Sequence, residues 1–216
     1  MSDTDSFIEE VTEEVRREKL FKLVKRYGWI AILLVLLLVG GATWNEISKA
    51  SARADAQNFG DAVLSALTFE ERTERADALA TLQAPTPGAD AMLKLLTAAE
   101  LSAENPREAA ENLLTLSDRS DIPLIYRQVA TLKAVMIADA GMEPLERRTR
   151  LEDLALTSGL MRLLAGEQLA MLEIEEGNPE AAISRLQELY VDAEASQGLR
   201  ERVSGVIVAL GGDLPE

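Results

Sequence analysis

Eighteen consecutive residues without a charge, YGWIAILLVLLLVGGATW from Tyr27 to Trp44, stand between Arg26 and Asn45-Glu46. As an α-helix with a rise of about 1.5 Å per residue, the run covers roughly 27 Å, close to the hydrocarbon thickness of a bilayer. Nothing polar recurs within it at helical spacing, which sets it apart from the half-covered helix of a water-soluble core. Tyr27, Trp29 and Trp44 lie toward its two ends, where aromatic rings rest at membrane interfaces. Ala50-Ser51-Ala52 resembles a signal-peptide cleavage site. A signal peptide, however, has a shorter apolar region behind a brief basic start, whereas 26 residues of mixed charge precede this run. The run predicts a retained transmembrane helix over 27–44.

Basic residues give the orientation. Arg16, Arg17, Lys19, Lys22, Lys25 and Arg26 precede the run, while only Lys49 and Arg53 follow closely. The positive-inside bias keeps residues 1–26 in the cytoplasm and places residues 45–216 in an exoplasmic space. Within 1–26, Phe7, Val11 and Val15 recur every fourth residue opposite Glu9, Glu10, Glu13 and Glu14, and Ser6-Phe7-Ile8-Glu9 fits a capping box. An amphipathic helix is predicted there. Phe7, Val11 and Val15 form its candidate docking face for a cytoplasmic partner or the lipid surface; the competing reading is an extension that only sets topology.

Charge and composition narrow the chemistry. The chain of 216 residues has 37 Asp+Glu against 22 Lys+Arg, and neither Cys nor His. Disulfides, thiol nucleophiles, Ser-His-Asp triads and the usual zinc ligands are thereby excluded. The acidity argues against nucleic acid as a partner, because phosphate contacts need a basic footprint. Residues 45–216 carry 30 acids and 16 bases, so nearly all of the net −15 belongs to that part. No carboxylate spacing matches an EF-hand, and neighbouring pairs such as Glu152-Asp153 diverge on a helix. The composition predicts no enzyme, no cofactor, no metal site and no small-molecule substrate.

Beyond residue 45 apolar residues recur at helical spacing between breakers. Met92, Leu95, Leu96 and Ala99 form one such stripe, Ile125, Val129, Leu132 and Met136 a second, and Leu199, Val203, Val206 and Leu210 a third. Breakers include Pro85 to Gly88, Asn105-Pro106, Gly141 with Pro144, and Gly177-Asn178-Pro179. Helices are predicted near 46–66, 69–83, 89–103, 106–117, 123–139, 144–156, 159–176, 179–192 and 197–210. The first continues from the membrane span as a stalk in which Gly60 is a possible break, and Thr68 to Glu71 offers a capping box for the second.

The chain also resembles itself. At an offset of 73, residues 99–116 align with 172–189, and six of 18 pairs are identical, among them Asn105/Asn178, Pro106/Pro179, Ala109/Ala182 and Leu113/Leu186. Such an offset is about two helical hairpins. Gly177-Asn178-Pro179-Glu180-Ala181-Ala182-Ile183 is similar to the tetratricopeptide turn and second-helix opening: Gly177 ends a helix with positive φ, Pro179 suits the next first turn, and Ala182 permits close approach. In the intervening unit Glu146 stands where the small residue belongs.

A basic juxtamembrane segment, one span and a hairpin array containing AGEQLAMLEIEEGNPEAAISRLQELYVD resemble the tetratricopeptide-like membrane proteins of the ancillary SecYEG translocon subunit family. The resemblance implies a single-pass inner-membrane protein whose periplasmic array meets the translocon, periplasmic chaperones and client proteins. The fold class expected is thus all-α: an N-terminal amphipathic helix, one transmembrane helix and a tetratricopeptide-like array. The alternative is a self-associating or envelope-organising repeat protein, tied to division or outer-membrane assembly and pairing through 199–210. Tyr126 and Arg127 are the candidate protein-binding residues, since planar amphipathic groups anchor partners in the groove of a hairpin array; core packing is the competing account of Tyr126.

Overall fold

The computed structural model describes residues 3–215 and, ahead of Leu36, the side chains of Lys25, Trp29, Ile30, Leu33 and Leu34 only. Every regular element described is helical: α1 Asp3–Ala66, α2 Arg72–Ala80, α3 Pro87–Leu101, α4 Pro106–Ser117, α5 Leu124–Met136, α6 Pro144–Ala155, α7 Leu160–Glu175, α8 Pro179–Val191 and α9 Gln197–Ala209. The chain divides into two compact units, Met1–Gln57 and Asn58–Glu216.

In the first unit the side chains of Phe7, Val11, Val15 and Tyr27 lie outside the described residues, as do those of Ser6 and Glu9. The helical backbone begins at Asp3, so Ser6 lies inside α1 and does not cap it. Trp29 is 63% exposed and Trp44 78%, and the leucines between them are also uncovered by protein. Among the residues described with their side chains no helix is long and apolar enough to cross a membrane; Tyr27, Gly28, Ala31, Ile32 and Val35 of the uncharged run are described by their backbone alone.

The second unit is a helical-hairpin repeat. Its start differs from the sequence expectation in one respect. Thr68 does not cap α2: its hydroxyl donates to the Ser65 carbonyl and closes the end of α1. Arg75 then donates to the Phe69 and Glu70 carbonyls at 2.9 and 2.7 Å, holding the turn open so that α2 starts at Arg72. Gly60 does not break α1, because the apolar Phe59, Val63 and Ala66 around it dock on Leu79 and Leu93. Tertiary packing of this kind outweighs a glycine's modest helix penalty.

Elsewhere the breakers act as their chemistry dictates. Proline opens α3, α4, α6 and α8, where the missing N–H has no helical partner to lose. Gly177, at φ 79°, ends α7 in a Schellman turn: Asn178 N–H donates to the Glu173 carbonyl and Gly177 N–H to that of Ile174. Gly211 and Gly212 repeat the arrangement after α9.

From α2 onward each helix packs chiefly on its neighbours in the chain, with α3 also touching α5 and α5 touching α7. Four apolar clusters fill the unit, built from leucine, alanine and valine, with Met161, Ile122 and Ile207; no described aromatic side chain is fully buried. The 73-residue offset extends well past the aligned stretch. It carries the first residues of α3, α4 and α5 onto the first residues of α7, α8 and α9. The buried pairs Ala109/Ala182, Leu113/Leu186, Ala130/Val203 and Ala134/Ile207 keep that register.

Candidate protein-binding groove

Ion pairing sorts the helices of the second unit into two sets. On α3 and α7 every carboxylate is held by arginine: Asp90 by Arg119, Glu100 by Arg75, Glu167 by Arg202, Glu173 by Arg185 and Glu175 by Arg147. Helix α5, LIYRQVATLKAVM, has no carboxylate at all. The even-numbered helices instead display Glu74, Asp77, Glu108, Glu111, Asp153 and Glu180, which make no ion pair among the described residues. Apart from Glu201 on α9, unpaired negative charge therefore gathers on the even-numbered helices among α2–α9, while α3 and α5 expose Met92, Ile125 and Met136.

Two of the paired acids are buried, and their partners explain how. Glu173 is 5% exposed and accepts three hydrogen bonds from Arg185 at 2.6 to 3.1 Å. Glu167, at 9%, accepts from Nε and Nη2 of Arg202 at 2.9 and 2.8 Å, tying α7 to α9. A desolvated carboxylate is tolerated only when charge and lone pairs are both answered, and the flat guanidinium answers both.

Between α3 and α5 lies an apolar cavity of about 190 Å³, lined by Leu95, Ala98, Ala99, Ser102, Leu113, Lys133, Met136 and Ile137. Met136 and Ile137 also wall a more polar cleft of about 350 Å³, which runs along Ala138 to Met142 and reaches Arg147 and Glu175. A third hollow, of about 280 Å³, flanks Ala140 to Met142 from the α4 side with Arg107, Glu111 and Glu146. Three cavities thus converge on the α5–α6 connection, the longest between helices of the array.

That connection is irregular. Asp139 has φ 57° and Gly141 φ 72°, and the space a Gly141 side chain would need is taken by the Arg107 guanidinium at 3.0 Å. No backbone hydrogen bond is donated by residues 138–143 or accepted by residues 137–142. Loop groups of this kind are satisfied from outside the backbone, by side chains, by water or by a bound chain. Arg147 Nε is a buried donor left without a partner beside the same cleft. Glu146 stands here on α6 where the repeat calls for a small residue, and pairs with Arg150 on the surface.

The structure sets the two candidate residues apart from this groove. Tyr126 is half-buried against the Ala91–Leu113 cluster, near Gly88, and corresponds at the repeat offset to the buried Leu199. Arg127 donates from Nε to the Ser117 carbonyl at 3.0 Å, and its counterpart Arg200 donates from Nε to the Tyr190 carbonyl at 3.1 Å. Both arginines close the end of the preceding helix, a structural task that leaves the groove to Lys133 and Met136. Sequence reasoning passed over Lys133 and read Met136 only as part of an apolar helical stripe, whereas it is 52% exposed. The signal it had was the absence of acid from 124–136.

No family model, no curated protein and no solved structure matches this chain.

Proposed function

We infer that the protein is a membrane-anchored scaffold whose hairpin array binds other proteins, with no catalytic chemistry of its own. The observation that carries this reading is the apolar, acid-free groove between α3 and α5, opening beside a loop whose backbone is unpaired. Exposed methionine and aliphatic side chains around such a groove suit partners that differ in detail, because the thioether chain adapts its shape. The uncovered apolar side chains from Trp29 to Trp44 support an anchor at 27–44, with residues 1–26 cytoplasmic and 45–216 periplasmic. The resemblance to the translocon's ancillary subunit family supports a partner set of translocon, periplasmic chaperones and their clients.

Self-association through 199–210 has less to draw on, since Leu199, Val203 and Ile207 are buried against α7 and α8. The test is a photo-crosslinking residue placed at Met136 in the full-length, membrane-bound chain, compared with one at Glu108 on the even-numbered side. The scaffold reading expects discrete heterologous adducts from position 136. Its failure would be a chain that extracts free of partners under gentle conditions and crosslinks to nothing at either position.

A further inference from the structure

We propose that the groove between α3 and α5 takes an extended peptide segment in which one apolar side chain lies next to a single carboxylate. This rests on the protein-binding reading and names the chemistry of what is bound. The apolar cavity, floored by Leu95, Ala98 and Leu113, has room for one aliphatic or aromatic side chain.

Charge complementarity names the neighbour. The second unit has two lysines. Lys94 is tied to Asp90 at 3.5 Å, whereas Lys133, exposed at the wall of the cavity, has no ion pair among the described residues. Helix α5 carries no acid to compete for it, and the acids of α3 are occupied by Arg75 and Arg119. In a chain with a net charge of −15 this is a local cationic spot beside an apolar hole.

Backbone chemistry selects an extended ligand. The carbonyls of residues 137–142 and the N–H groups of 138–143 accept and donate no backbone hydrogen bonds, and Ile137 is already in the β region at ψ 116°. A helical ligand has spent its main-chain groups on itself, whereas an extended one brings free donors and acceptors to such a loop. The number of carboxylates is limited too. In the adjoining cleft the one cation, Arg147, is already paired with Glu175 at 2.6 Å, and Asp139 has no ion pair among the described residues, so a run of acids entering it meets like charge.

The experiment is fluorescence anisotropy with the full-length chain in lipid nanodiscs and labelled eight-residue probes of Gly and Ser around a central Leu-Glu, Leu-Gln or Leu-Lys, together with an all-Glu probe. The expected order is Leu-Glu tightest, Leu-Gln weaker, Leu-Lys weakest, with about a five- to tenfold span from first to last at low salt. The all-Glu probe is expected to bind least. Lys133→Glu, at an exposed site that spares the core, is expected to reverse the order of Leu-Glu and Leu-Lys, while Arg72→Glu, an exposed cation remote from the groove, leaves it unchanged. An order indifferent to Lys133→Glu, or tightest binding of the all-Glu probe, overturns the proposal. If adducts form at position 136 but no probe shows the charge preference, the scaffold reading stands and this inference falls; if neither adducts nor probe binding appear, both fall.

Discussion

Asp192 and Arg119 occupy the same place at the repeat offset and carry opposite charge. Arg119 reaches back to Asp90 near the start of α3 and also pairs with Asp121; Asp192 receives Arg162 near the start of α7 at 2.8 Å. The contact between helix start and following loop survives with its polarity inverted. Hydrogen bonding from Arg162 holds the Asp192 carboxyl below its ordinary range, and Arg119 does the same to Asp121. A carboxyl with a lowered folded pKa contributes stability that is complete above its unfolded value, about 3.9, and is lost as pH falls through the folded one. Asp192→Asn is therefore expected to flatten the acid side of the stability profile, read as the urea midpoint at about pH 5 and pH 2.5. An unchanged slope would dismiss the Arg162 contact as a stabiliser. Arg185→Ala poses a harsher question, because it strips three hydrogen bonds from a carboxylate that is 5% exposed and leaves Arg148 at 4.0 Å as its nearest cation. A loss of about 2 kcal/mol is expected in urea denaturation, and Glu173→Gln added to it restores part of that loss by removing the stranded charge.

At the level of elements, caps separate what was readable from what was not. Pro87, Pro106, Pro144 and Pro179 mark helix starts in the sequence, and each opens a helix in the structure. Thr68-Phe69-Glu70-Glu71 has the letters of a capping box yet works as the end of α1, because Arg75 captures the carbonyls ahead of α2. The working caps are Thr86, which accepts from Ala89 N–H at 3.2 Å, and Ser196, which accepts from Leu199 N–H at 3.2 Å. Thr86→Ala and Ser196→Ala are each expected to cost about 1 kcal/mol in chemical denaturation, and Thr68→Ala about half that or less. Equal costs at all three positions would restore the capping-box reading of Thr68. The groove was legible in part. The missing acid on α5 is plain in LIYRQVATLKAVM, but whether Tyr126 faces a partner or the core depends on its neighbours, and the structure sets it on the same side as its buried counterpart Leu199.

For the molecule as a whole, nearest-neighbour packing decides how it tolerates loss. Helix α9 covers Leu163, Ala170, Ala182 and Leu186, and a stacked array needs a terminal helix to close its last apolar face. Deleting residues 197–216 is expected to unfold α7 and α8 in preference to α2–α4, visible as faster amide hydrogen exchange confined to roughly residues 160–191. Uniform exchange along the array would instead indicate a single cooperative unit. The sequence by itself determined that the chain is helical, where most helices begin, and that the array repeats with a 73-residue offset, because prolines, glycines and apolar periodicity act over one or two turns. Only the tertiary structure decided which carboxylates are neutralised, which leave Lys133 unanswered, and where the loop after α5 opens its backbone. Ion pairs such as Arg162–Asp192 and Arg202–Glu167 join residues 30 and 35 positions apart, a separation that packing fixes and local propensity does not.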